Sequence, residues 1–146
     1  RRDSKKVAKV TNEKKEMIEE GIIARIKADT TVNSYINGRV YPHQIIQGNT
    51  YPMVALVTNE QQPINGQGGM CIREYDFLLH VSSTSYLECL NIGEALITLF
   101  DRFRGTLGGL SASTCRYRGV AMNVKENDTE LYHMAYEFNI LININN

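Results

Sequence analysis

The sequence predicts an α+β fold: a mostly antiparallel sheet covered on one face by two helices, in the order α-β-β-β-α-β-β. Three observations lead there. Two stretches repeat aliphatic residues at helical spacing, the final fifteen or so residues alternate apolar and polar with period two, and short turn signals separate the segments. There is no internal repeat and no linker, and 146 residues suit one domain with a sizeable core.

Residues 13–28 read as a helix because Ile18, Ile22, Ile23 and Ile26 recur on one face, with Glu and Lys elsewhere. Asp29-Thr30-Thr31 breaks it and caps a short turn carrying Val32, Tyr35 and Ile36. Asn37-Gly38 marks a tight turn before the extended Arg39-Val40-Tyr41-Pro42. The β-rich run Tyr51–Thr58 is a strand, with Pro52 at its start, where no ladder amide is needed. Residues 70–83 alternate, with Tyr75, Phe77, Leu79 and Val81 on one face and Glu74, Asp76 and His80 on the other. This half-buried strand is expected to hairpin onto the preceding one across a loop rich in Gly, Asn and Gln.

The clearest helix spans residues 85–103, where Leu90, Gly93, Ile97 and Phe100 share a stripe widened by Ile92, Leu96, Leu99 and Phe103. Ser85 and Glu88 have capping-box spacing, Arg102 and Arg104 suit the negative end of the helix dipole, and Gly105 is placed to stop it. Gly105–Gly109 then reads as a plain connection. Strands at 113–124 and 130–144 flank the polar turn Lys125–Asp128. In the last one, Tyr132, Met134, Tyr136, Phe138, Ile140 and Ile142 oppose His133, Ala135, Glu137, Asn139 and Asn143. A strand of this length, against a usual five or six residues, either bends across its sheet or reaches beyond its own subunit. The Ile18/Ile22/Ile26 and Leu90/Ile97/Phe100 stripes should pack on the face carrying Phe77, Leu79, Phe138 and Ile140.

Zero net charge conceals an asymmetry. Residues 1–16 carry seven basic and three acidic side chains, whereas the rest carries nine basic and thirteen acidic. A basic arm on a mildly acidic body suits contact with DNA or with an acidic neighbour. No apolar run reaches the roughly 20 residues of a membrane span, and the basic, polar opening is not a signal peptide. Cys71, Cys89 and Cys115 form no ligand box and are odd in number, which predicts buried free thiols.

Little in the sequence points to chemistry. His43, His80 and His133 share no metal-ligand spacing, and the last two fall on polar strand positions as exposed or partly satisfied imidazoles. Gly66, Gly68 and Gly69 precede a strand instead of a helix, so they do not form a phosphate loop. Scattered carboxylates select no acid–base pair. No cofactor is implied. Arg116 and Arg118 on one side of a strand lack interleaved stacking aromatics and suit an inter-subunit contact better than a nucleic-acid platform. The segment Gln61–Gly69 is long, polar and Gly-rich without catalytic residues, so Gln61, Gln62, Asn65, Gly66, Gln67, Gly68 and Gly69 are candidate partner contacts.

From Met17 to Asn143 the chain resembles a family of small tailed-phage proteins, the tail-completion or tail-terminator-like components of head–tail joining. The resemblance is carried by Met17-Ile18-Glu19, Ile22–Asp29 and Val32–Ile36, by Gly38-Arg39-Val40-Tyr41-Pro42, and by Tyr51-Pro52-Met53-Val54. The strand Tyr75–Ser83, the helix Leu87–Phe103 and the closing strand Tyr132–Ile142 continue it. These are structural residues; Gly38, Arg39, Tyr41, Pro42, Tyr51 and Pro52 form the motif and carry no chemical signature. Family members begin near Met17, so residues 1–16 are read as a basic N-terminal extension to a domain spanning 17–146.

The resemblance implies a non-enzymatic virion protein at the head–tail junction, assembled in the host cytoplasm. It implies a homo-oligomeric ring, commonly a hexamer, that ends tube polymerisation. Its partners would be the tail tube protein, the head-side connector or neck proteins, and DNA passing non-specifically through the channel. A head-side neck adaptor or stopper is the alternative within this class. A small hydrolase and a nucleic-acid module resting on the basic arm are the alternatives outside it.

Overall fold

The computed structural model describes residues 2–43, 50–60, 64–65 and 71–144; the side chains of residues 2–14, 60, 64–65, 71 and 144 lie outside the described set. Its elements are α1 (Arg2–Ala28), α2 (Thr30–Ile36), β1 (Val40–Pro42), β2 (Met53–Glu60), β3 (Ile64–Asn65), β4 (Cys71–Ser83), α3 (Tyr86–Phe100), β5 (Gly105–Leu107), β6 (Leu110–Lys125) and β7 (Tyr132–Ile144). The sheet runs β1-β2-β4-β7-β6-β5, with β3 also paired to β4. Only β1 and β2 are parallel; every other pairing is antiparallel. The expected α+β class holds, with α2, β3 and β5 added to the expected order.

Helix α1 starts at Arg2 instead of near residue 13. Residues 2–20 contain neither Gly nor Pro and are rich in Lys and Glu, so the backbone propagates the helix without an apolar stripe. The isoleucine period marks the buried part: Ile18, Ile22 and Ile26 are buried in the core. Asp29 caps α2 by accepting from Val32 N at 2.9 Å, and Asn37 ends it in the left-handed region at φ 48°.

Helix α3 begins as expected, with Ser85 accepting from Glu88 N. The Glu88 carboxylate accepts from the Ser83 hydroxyl at 2.6 Å, and Ser83 Oγ accepts from Ser85 N at 3.1 Å, so the box closes through a third residue. The helix stops at Phe100, before Gly105, because β6 captures the chain. Tyr117 N donates to Asp101 Oδ1 at 3.1 Å and Arg102 N to Cys115 O at 2.8 Å. Its buried stripe is Cys89, Ile92, Gly93, Leu96 and Phe100, while Leu90 and Ile97 are half-buried at its border. The stripe centres on Gly93 because Tyr136 lies there: a Cβ on Gly93 would sit 2.0 Å from Tyr136 Cζ.

Two expected connections contain strand. Gly108 (φ 60°) and Gly109 (φ 83°) close a two-residue hairpin between Leu107 and Leu110, as the primed turns require. On β4, β2 ends with Glu60 opposite Tyr75, and β3 then pairs Ile64 with Ile72 and Asn65 with Cys71.

The core is aromatic at its centre. Phe77 stacks on Phe138 at 5.1 Å, and Phe100 and Tyr117 close on Phe138 at 5.8 and 5.4 Å. One turn of α1 seals the curled sheet. On one side, a Cβ at Gly21 would fall 2.4 Å from Gly108 N in the β5–β6 turn; on the other, Glu19 pairs with His43 just past β1. Among the described residues, β5 covers only Leu110–Ala112 of β6 and Asp101-Arg102 bond Cys115 and Tyr117, which leaves the outer edge of residues 118–125 without a strand partner.

Candidate assembly surfaces

The motif Gly38–Pro42 with Tyr51-Pro52 builds the β1 border. Gly38 is needed for its φ of 78°, since nothing lies within 4 Å of where a Cβ would stand. Arg39 Nε donates to Pro52 O at 2.9 Å, and Val54 N donates to Arg39 O at 2.9 Å, tying the two halves of the motif together. Val40, Tyr41 and Pro42 then pair with Val54, Ala55 and Leu56, and Pro42 blunts the open side by lacking an amide proton. Pro52 is buried and follows a cis peptide bond.

The opposite border is β6. Register shifts fall between Ala112 and Thr114, Tyr117 and Gly119, and Val120 and Met122. Arg116 pairs with Asn139 on the face away from the helices, whereas Arg118 falls at the second irregularity. The strict alternation expected to place both arginines on one side is therefore interrupted. Both are exposed and lack side-chain partners among the described residues. Asn139 instead donates to Glu74 and Asp76, at 2.8 Å each. Gln61, Gln62, Gly66, Gln67, Gly68 and Gly69 lie outside the described residues, and Asn65 is described only through its pairing with Cys71.

A polar network invisible in the linear spacing lies on the helix-free face. Of the exposed or partly satisfied imidazoles expected from alternation, His133 is the satisfied kind and is buried, at 6 % exposed; Ser82, Ala135 and Met53 on that face are buried too. Part of the cover is the 126–131 turn. Glu126 Oε1 lies 2.9 Å from His133 Nε2, which therefore carries the proton and donates it. The Nδ1 lone pair then faces Ser82 Oγ at 2.9 Å and His80 Nε2 at 3.0 Å. The Thr129 hydroxyl above all, and then His133, hold the Glu126 carboxyl below its usual range. Burial, reinforced by His133, pushes His80 down to about 4. Antiparallel register is the signal that finds this set, since Ser82 lies opposite His133 and His80 opposite Ala135.

Serine, imidazole and carboxylate in a row suggest a nucleophile relay, but Ser82 is fully buried, so its hydroxyl meets no substrate. The network instead ties β4, β7 and their turn together. Among the described residues no group of three His, Cys, Asp or Glu is placed to hold a metal ion. The groove between α1, α3 and the β5–β6 turn, about 560 Å³, has its main polar group already committed. Arg25 donates to Leu99 O at 2.9 and 3.2 Å and stacks on Phe103 at 3.9 Å. Burial raises the Cys89 and Cys115 thiols to about 11 and about 12. No described helix is long and apolar enough to cross a membrane.

The chain belongs to the family of tail completion protein gp17, whose model matches residues 20–143; it is a structural protein of the phage tail. Its fold is shared with a chain in the virion of a native gene transfer agent particle, at 11 % identity and a TM-score of 0.72, over 85 % of this chain and 92 % of that one. No curated protein matches the sequence.

Proposed function

We propose that this chain forms a homo-oligomeric ring, of six copies as the family resemblance implies, at the head-proximal end of a bacteriophage tail. The ring covers the last layer of tube protein, ends its polymerisation and presents its other face to the head-side connector. Membership in the tail-completion family over nearly the whole body carries this reading. Two dissimilar sheet borders support it, since a cyclic ring needs two different, mutually fitting surfaces on each copy. The role is geometric, without catalysis. The net negative body keeps DNA phosphates from adhering as they pass through the channel. The segment Gln61–Gly69 contributes contacts to a neighbouring copy or an adjacent layer.

The experiment is a phage lacking this gene, imaged in lysates and complemented with the intact chain. Tails of uncontrolled length, detached from filled heads, are expected. Detached tails of normal length would place the protein on the neck side as an adaptor or stopper, and normal virions would remove it from assembly altogether.

A further inference from the structure

The four large apolar side chains that stand exposed among the described residues are Tyr86 (42 %), Leu87 (65 %), Val120 (47 %) and Val124 (48 %). All lie on the flank formed by the first turn of α3 and the free half of β6. Tyr86 rests against Tyr132, with ring centroids 5.6 Å apart, and the Lys125 ammonium lies 5.3 Å from the same ring. Val120 pairs with Tyr136, whose hydroxyl donates to Cys89 O in α3, so it shares the helix side with Tyr86 and Leu87. Val124, past a register shift, pairs with His133 on the helix-free face of the same edge. This apolar flank is bordered by the exposed Arg116 and Arg118 and by an open row of backbone groups.

The α1–β1 side presents exposed acids. Glu16 and Glu20 stand exposed on α1 without side-chain partners among the described residues, in a cleft shared with Lys15, Glu19, Ile23, Pro42 and His43 at the other sheet border. Thus each copy presents two exposed bases on one border and two exposed acids on the other, none of them with a side-chain partner among the described residues. Matched surfaces of this kind steer and register a head-to-tail contact. The register shifts along β6 twist its edge away from indiscriminate strand pairing, so side chains set the fit there.

We propose that the β6–α3 flank receives the α1–β1 side of a second copy, with Arg116 and Arg118 meeting Glu16 and Glu20 and the Tyr86/Leu87/Val120 surface covered by the contact. The inference rests on the ring reading above and assigns the ring its contact surfaces.

The test is charge reversal in the full chain, read by native mass spectrometry and by imaging of complemented tails. Wild type should self-associate as its concentration rises. R116E/R118E should be monomeric at concentrations where wild type associates, and so should E16R/E20R. The quadruple variant, with both signs exchanged, should regain association and tail joining. Failure of the quadruple variant to recover, with its circular dichroism and denaturation midpoint unchanged, overturns the proposal. Wild-type association by either double variant does the same. A closed ring in micrographs with R116E/R118E in place refutes these surfaces and leaves the ring reading standing. A wild-type chain with no ring on the tail removes both. If R116E/R118E self-associates normally but loses joining, the flank binds another virion protein and the proposal is wrong.

Discussion

Substituting Gly21 by Ala sets two effects of opposite sign against each other. In an exposed helix interior, Ala is favoured over Gly by about 1 kcal/mol. At Gly21, however, the new methyl carbon would lie 2.4 Å from Gly108 N and 2.8 Å from Leu107 C, both backbone atoms of the β5–β6 turn. That turn cannot swing away cheaply, because its own glycine is pressed on α1: a Cβ on Gly108 would sit 2.1 Å from Met17 O. Relief requires moving α1 off the sheet, and overpacking of this kind costs about 1–3 kcal/mol or more. The expected result is a net loss of up to about 2 kcal/mol after the helical gain is subtracted. Urea denaturation followed by circular dichroism should show a lower midpoint at unchanged slope. Ala24→Gly, at an exposed position three residues along the same helix, supplies the propensity term alone and should cost about 1 kcal/mol. A Gly21→Ala protein that is more stable than wild type would refute the close approach of α1 to this turn.

Four further outcomes are expected. Phe138→Ala, at the centre of the aromatic cluster, should cost on the order of 3–5 kcal/mol, and a nearly unchanged denaturant midpoint would remove Phe138 from the core. His80 binds a proton less readily folded than unfolded, so its contribution to stability is present above about pH 6.5 and is lost as pH falls toward 4. Discounted for its partial exposure, that contribution is about 1–3 kcal/mol, and His80→Gln should flatten the acid limb of a melting-temperature profile across that window. In a Cys71→Ser background the native protein should leave a thiol-specific disulfide reagent unconsumed at pH 7, because Cys89 and Cys115 are buried and protonated; rapid labelling without denaturant would contradict this. Replacing Gln61–Gly69 by Asn-Gly should leave the denaturation midpoint within about 1 kcal/mol of wild type while lowering the yield of joined tails, and full joining would make the segment a passive connection.

The order of elements was legible in the sequence because apolar period reports which face is buried. It placed the Ile18/Ile22/Ile26 stripe, the Tyr75–Val81 face and the β7 alternation, all of which are core. The family was legible too, since Gly38–Pro42 and Tyr51-Pro52 fix one border of the sheet through local backbone demands that few residue types meet. Period alone left three features undetermined. The first half of α1 is helical without an apolar stripe in its sequence, so backbone propensity and not period carries it. The centre of the α3 stripe moved to Gly93 because Tyr136 from β7 occupies the space a side chain would take. His133 sits at a polar position of an alternating strand, yet the 126–131 turn and the β4 register bury it against Ser82, His80 and Glu126. Register and curl are properties of paired strands, not of any one segment. They decided which histidines meet, which edge of β6 stays open, and that the exposed acids and bases lie on different borders.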